Sequence, residues 1–120
     1  MVTDLDLNLG DLLSNLVNEL EGKIFFCLIS SENGVVKKSY INEDEFNKAA
    51  ISLNVSQLYE LAEEITDSVG LHNPDFNLIH SDDYYIISVK ILKNIIILLT
   101  TDQVEMKQVF RIINKSTNPP

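Results

Sequence analysis

The chain has 120 residues, 45% of them hydrophobic and 22% charged, which is the size and make-up of one globular domain with one real core rather than a disordered or fibrous protein. Eighteen acidic residues against nine basic ones give a net charge of −9, and such a surface repels phosphate backbones and anionic lipid, so neither nucleic acid nor a membrane surface is an expected partner. One cysteine rules out an internal disulfide and a Cys-based zinc site and suits a reducing compartment.

No targeting pattern is visible. Met1-Val-Thr-Asp-Leu-Asp6 is acidic where a secretory signal would be basic. Apolar runs such as Ile95–Leu99 fall far short of the ~20 residues a membrane helix needs, so the expectation is a cytoplasmic protein without membrane insertion. Abundant Ile and Asn with a single Arg match the bias of an AT-rich prokaryotic genome.

The first element reads as a helix over 4–21, with Leu5, Leu9, Leu12, Leu13, Leu16, Val17 and Leu20 at helical spacing. Thr3 or Asp4 would cap its start and Gly22 its end, and Gly10 is either an internal flaw worth about 1 kcal/mol or the mark of a frayed first turn. Ile24–Ser30 is apolar and branched, a buried interior strand. The turn Ser31-Glu-Asn-Gly34 leads into a second strand, Val35–Ile41, whose Lys37 and Lys38 mark an exposed edge.

A long helix follows, predicted from an Asn42 cap with Glu45 as capping-box partner, through Glu43 and Asp44, to Val69 before Gly70. It carries two apolar stripes. Phe46, Ala49, Ala50, Leu53 and Leu61 form one; Ile51, Val55, Leu58, Ala62, Ile65 and Val69, spaced like a coiled-coil seam, form the other. At about 100° per residue their centres lie about 120° apart. One stripe can cover the chain's own sheet, and the other needs a second partner, for which another copy of the same helix is the obvious candidate. A kink near Asn54-Val-Ser56 would instead bury both stripes in one core.

Phe76–His80, Tyr84–Ile91 and Ile95–Thr101 read as a meander joined by Ser81-Asp-Asp83 and Leu92-Lys-Asn94. Gln103–Lys115 closes the chain as a helix capped by Asp102, and 116–120 is a tail. The expected fold class is therefore α+β: a five-stranded antiparallel sheet in α-β-β-α-β-β-β-α order, with the long helix on one face and the first and last helices on the other. The whole of 1–120 is one domain with its core at about 5–114.

In these features the sequence resembles the Roadblock family, the dynein light-chain type, in a prokaryotic or archaeal form. The likeness spans about 5–114. It rests on the apolar strand Ile24–Ser30, the polar turn ending in Gly34, Val35-Val36 opening the next strand, the Ala49-Ala50 pair and the tight final meander. The chain departs from the family in having Ser31-Glu32-Asn33 before that glycine and no glycine in its last two turns. The resemblance implies a homodimer, or a pair with a paralogous Roadblock-type chain, joined along Ile51, Val55, Leu58, Ala62, Ile65 and Val69 and through the strand holding Phe76 and Leu78. It also implies binding to a Ras-like small GTPase as scaffold or regulator, with no catalytic centre and no cofactor.

The sequence carries little that points to chemistry. No Walker loop, dinucleotide fingerprint, H-E-x-x-H or G-x-S-x-G motif occurs. His72 stands apart from His80, and His80-Ser-Asp82-Asp83 reads as a strand end and turn rather than a metal site. Cys27, inside an apolar strand, reads as core. Arg111 reads as a cation near a helix C-terminus rather than an arginine finger, and Glu63-Glu64 carries no acid–base signal without a pocket. The stretch best suited to a partner is the polar side of the long helix: Gln57, Tyr59, Glu60, Glu63, Glu64 and Asp67. There charge would set encounter rate and register. Rival readings are a small-molecule-sensing α+β regulatory domain, for which Cys27 and Ser88 are the polar groups inside the strands, and a longin- or profilin-like adaptor. In the predicted dimer, Asp placed at Leu58 and Ile65 would split the pair.

Overall fold

A computed structural model describes residues 8–42 and 45–117. Its elements follow the expected order: α1 (Leu9–Glu19), β1 (Ile24–Ser31), β2 (Val36–Ile41), α2 (Lys48–Ser68), β3 (Phe76–Ser81), β4 (Tyr84–Ile91), β5 (Asn94–Thr101) and α3 (Met106–Thr117). All strand pairs are antiparallel, and the sheet order is β2-β1-β5-β4-β3. β1 and β5 are therefore interior strands, and their unbroken apolar sequences follow from being covered on both faces.

Two cores result, one on each side. Alternate residues Cys27, Ile29, Ile96 and Leu98 meet Leu12 and Leu16 of α1 and Val109 and Ile112 of α3. The intervening positions Phe26, Leu28, Ile95 and Ile97 meet Val55 and Tyr59 of α2. The single long helix on one face and the two terminal helices on the other stand as expected.

Helix boundaries differ from the sequence reading. α1 starts at Leu9, capped by the Asn8 side chain, which accepts from Asp11 N at 3.0 Å, so Gly10 lies in the first turn. The Thr3 and Asp4 caps, and Leu5, lie outside the described residues. α2 is capped by Asn47, whose side chain accepts from Ala50 N at 3.1 Å, and not by Asn42. Phe46 thus precedes the helix and packs edge-on against Phe26 at 5.1 Å, an apolar contact that Asn42–Glu45 could not supply; Glu43 and Asp44 lie outside the described residues. α3 begins after Glu105, whose carbonyl accepts from Gln108 N and Val109 N, while Val104 precedes it as a buried anchor. It runs through Ser116 and Thr117, which the sequence reading left in the tail. Ser116 Oγ accepts from Asn15 Nδ2 at 2.9 Å and Thr117 is buried, so α1 holds that end. Residues 118–120 lie outside the described residues. Arg111 consequently sits mid-helix and exposed, so the helix C-terminus does not account for it.

Turns bring the elements close. Gly34 has φ +88°, and a Cβ there would lie 2.9 Å from Leu53 Cα and 3.1 Å from Ser52 O, so the β1–β2 turn needs glycine both for its conformation and for contact with α2. Asn33 does not share the positive φ. In the glycine-free turns of the meander, Asp82 and Leu92 adopt the left-handed conformation instead, at φ 54° and 55°.

Candidate interaction surface

The side of α2 that meets the sheet is Ser52, Ser56, Tyr59 and Glu63, in steps of four, three and four. Ser52 and Ser56 are buried, and Ser56 Oγ donates to Glu32 O at 2.6 Å. Neither apolar stripe is centred on the sheet: the contact face lies beside the seam stripe, which contributes Val55, 7% exposed, and the half-buried Ile51. Two small serines allow the helix to come down against the Gly34 turn. Their polarity hides this face from a hydrophobic pattern. Val55 is thus corrected from the dimer seam to the chain's own core.

α2 crosses β2, β1 and β5. On its other side the same sheet face continues over β4 and β3, where Ile86 and Ile79 line a groove of about 470 Å³ with Ile51, Asn54, Leu58 and Leu99. Ile51, Leu58 and Ala62 are half-buried along this flank, while Leu61, Ile65 and Val69 are 53%, 58% and 67% exposed. The groove ends at β3, an edge strand on which Phe76, Leu78 and Ile79 are exposed. Of the predicted dimer residues, Ile51, Leu58, Ala62, Ile65 and Val69 therefore share one surface with the β3 edge. Phe76 and Leu78 belong to that edge but point to the α1/α3 face, Phe76 lying 5.5 Å from the Phe110 ring. No kink is needed at Asn54, because α2 runs unbroken from Lys48 to Ser68.

The predicted partner strip divides in two. Gln57, Glu60, Glu64 and Asp67 are exposed on the flank of α2 away from the groove. Tyr59 is corrected to the core, being 1% exposed, and Glu63 is turned inward to Lys90. Lys90 Nζ stands 3.3 Å from Glu63 and 3.7 Å from Glu32, joining β4, α2 and the β1–β2 turn. The Tyr59 hydroxyl accepts from Lys90 N at 3.1 Å and donates to Pro74 O at 3.1 Å. Burial pushes the Tyr59 phenol up, the bond from Lys90 N opposes this, and the carboxylates of Glu63 and Asp75 add to the rise.

Cys27 is buried, and burial alone pushes its thiol far above the ordinary range. Ser88, the other polar residue noted within the strands, is also buried. His80 stands 3.3 Å from Asp102 Oδ2 and edge-on to the Tyr85 ring at 4.9 Å, contacts that occupy it structurally. Among the described residues no group of three or more His, Cys, Asp or Glu side chains is placed to hold a metal ion, and no helix is long and apolar enough to cross a membrane.

No family model and no curated protein matches the chain. Solved structures do. MglB of Myxococcus xanthus superposes with a TM-score of 0.78 at 7% identity, covering 92% of each chain. A Roadblock/LC7 domain from Streptomyces avermitilis gives 0.76 at 14% identity over 88% of each. Profilin IA of Acanthamoeba castellanii is a looser fit, 0.54 at 16% identity over 88% of this chain and 90% of that one. The fold is that of a Roadblock-type domain.

Proposed function

We propose that this Roadblock-type domain is a non-enzymatic, dimeric interaction module of the cytoplasm that binds a Ras-like small GTPase and scaffolds or regulates its nucleotide cycle. The observation that carries the dimer is the uncovered flank of α2, with Leu61, Ile65 and Val69 more than half exposed beside an apolar edge strand. A face of this kind, continuous with an unpaired strand edge, is a place where a chain meets another chain. A second copy laid antiparallel would set its own α2 over Ile79 and Ile86 and pair its β3 with this one. The GTPase is inferred from the likeness to Roadblock domains, supported by the exposed acidic strip Gln57, Glu60, Glu64 and Asp67, which suits a face bearing Lys or Arg.

The test is titration calorimetry of the purified chain against the small GTPases of its own genome, each loaded with GDP or a non-hydrolysable GTP analogue. Binding that depends on the nucleotide, and that weakens when Glu60→Lys and Glu64→Lys are combined, supports the reading. Binding indifferent to nucleotide leaves a scaffold, and no binding to any of them overturns the GTPase part. The apolar groove favours a second reading, a small-molecule regulatory site. A thermal shift produced by small apolar compounds in the wild type and lost in Leu58→Asp would support it.

A further inference from the structure

At the end of the sheet where α2 begins, β1 carries a bulge. Ile24 opposes Thr100 and Phe26 opposes Leu99, so Phe25 is an extra residue on the β1 side of that ladder. The alternation of the strand breaks with it: Ile24 belongs to the α1/α3 core and Phe26 to the α2 core. A bulge re-aims a side chain, and here the Phe25 ring meets Tyr84 edge-on at 5.4 Å. Phe25, Tyr84 and Phe46, which stands just ahead of the Asn47 cap, wall a cleft of about 410 Å³. Ile86 and Leu99 floor it, and Asp82 of the β3–β4 turn lies on its rim. Phe46, Ile86 and Leu99 also line the groove beside α2, so the cleft is the end of that groove, where hydrocarbon gives way to rings and a carboxylate.

The charge of the cleft is unanswered within the chain. No lysine or arginine lines it, and neither Asp82 nor Asp83 forms an ion pair with a described residue. Aromatic faces attract a cation, and a carboxylate beside them accepts charge-assisted hydrogen bonds. An anion would be repelled here, and a neutral apolar ligand would leave Asp82 unmatched. An ammonium ion answers the charge but holds its water tightly. A guanidinium is planar and weakly hydrated, stacks on rings and presents paired N–H groups to a carboxylate. Free arginine brings a carboxylate of its own to an acidic surface, which an arginine within a polypeptide does not.

We propose that this cleft is a docking site for an arginine side chain of a partner protein. Its guanidinium stacks on the Tyr84 ring and donates to Asp82, while its aliphatic stem lies over Ile86 and Leu99. The site needs neither the second copy nor the GTPase of the reading above.

Nuclear magnetic resonance titration of the full chain with capped Gly-Arg-Gly, Gly-Lys-Gly and Gly-citrulline-Gly peptides tests it, since citrulline keeps the shape of arginine and loses its charge. The arginine peptide should shift the signals of Phe25, Tyr84 and Ile86 at millimolar concentration, binding about tenfold more tightly than the citrulline peptide and several-fold more tightly than the lysine peptide. Asp82→Asn puts a residue tolerant of φ 54° in the turn and should weaken arginine binding about tenfold. Tyr84→Phe should preserve it, and Tyr84→Leu should weaken it about fivefold. Equal binding of the arginine and citrulline peptides overturns the cation, and equal binding of the lysine peptide overturns the guanidinium. Free arginine binding more tightly than the peptide overturns the protein source. No shift at these residues, or binding untouched by both Asp82→Asn and Tyr84→Leu, overturns the site, whether the chain is a monomer or a dimer.

Discussion

The hydroxyl of Tyr59 takes the place of a strand at Lys90. The β3–β4 ladder stops at Phe76 opposite Val89, and the next outward amide, Lys90 N, donates to Tyr59 Oη at 3.1 Å instead of to a β3 carbonyl. The same hydroxyl donates to Pro74 O, so a side chain of α2 carries the sheet edge past the end of the strand and tethers the loop that leads into it. Replacing Tyr59 with Phe keeps the ring in the core and strands an N–H and a C=O. The expected loss is about 1–3 kcal/mol, measured by urea unfolding, with faster amide exchange at Lys90.

Tyr59 also predicts a pH dependence. Its phenol is raised above the ordinary value of 10.0, first by burial. The folded chain therefore holds the proton more tightly than the unfolded one. This contribution to stability is complete below about pH 10 and is lost as the pH climbs from there through the folded pKa. Urea midpoints recorded from pH 8 to 11 should fall at the alkaline end. Tyr59→Phe should fall less steeply over the same range.

Gly34 and Gly70 both have positive φ, yet they predict different losses. At Gly70, φ +77°, an added Cβ meets nothing within 4 Å; Gly70→Ala costs about 1 kcal/mol of backbone strain. At Gly34 the same strain is joined by contact with the α2 backbone at 2.9 Å, which no rotamer change relieves. Gly34→Ala should therefore cost about 2–4 kcal/mol, taking strain and displaced packing together. Equal thermal shifts in the two variants would refute the close approach.

The architecture was legible because its strongest signals are apolar and periodic: the continuous run in β1, the meander and the amphipathic α1 and α3 left little choice of order or layer. What escaped the pattern has a common cause. Tyr59 falls within the predicted partner strip, and Ser52 and Ser56 belong to neither apolar stripe, although all three lie on the face of α2 that touches the sheet. Small hydroxyl residues can be buried wherever backbone approaches closely, and Gly34 was the one signal in the sequence for such an approach. The predicted Asn42 cap gives way to Asn47, which leaves Phe46 ahead of the helix in tertiary contact with Phe26.

That choice of cap is itself measurable. Asn47 Oδ1 accepts from Ala50 N at 3.1 Å, so Asn47→Ala should destabilise the chain by about 1 kcal/mol. Asn42→Ala, at an exposed position after β2, should change stability by less than about 0.5 kcal/mol. Denaturant midpoints of the two variants decide the assignment.

The α2 seam gives the sharpest contrast, because its stripe splits into residues that one chain buries and residues that it does not. Val55 is 7% exposed and Ile65 is 58% exposed. An Asp at Val55 places an unpaired charge in the core beside Phe26 and Tyr59 and should cost several kcal/mol, seen as loss of cooperative unfolding. An Asp at Ile65 meets water in a lone protomer and should leave the unfolding midpoint of a dilute sample within about 0.5 kcal/mol of the wild type. In a dimer, Ile65→Asp buries its charge against the second helix. Sedimentation at tens of micromolar should then show a folded monomer where the wild type is dimeric. A variant that remains dimeric would place the joint elsewhere on the surface, and one that unfolds would return Ile65 to the protomer's own core.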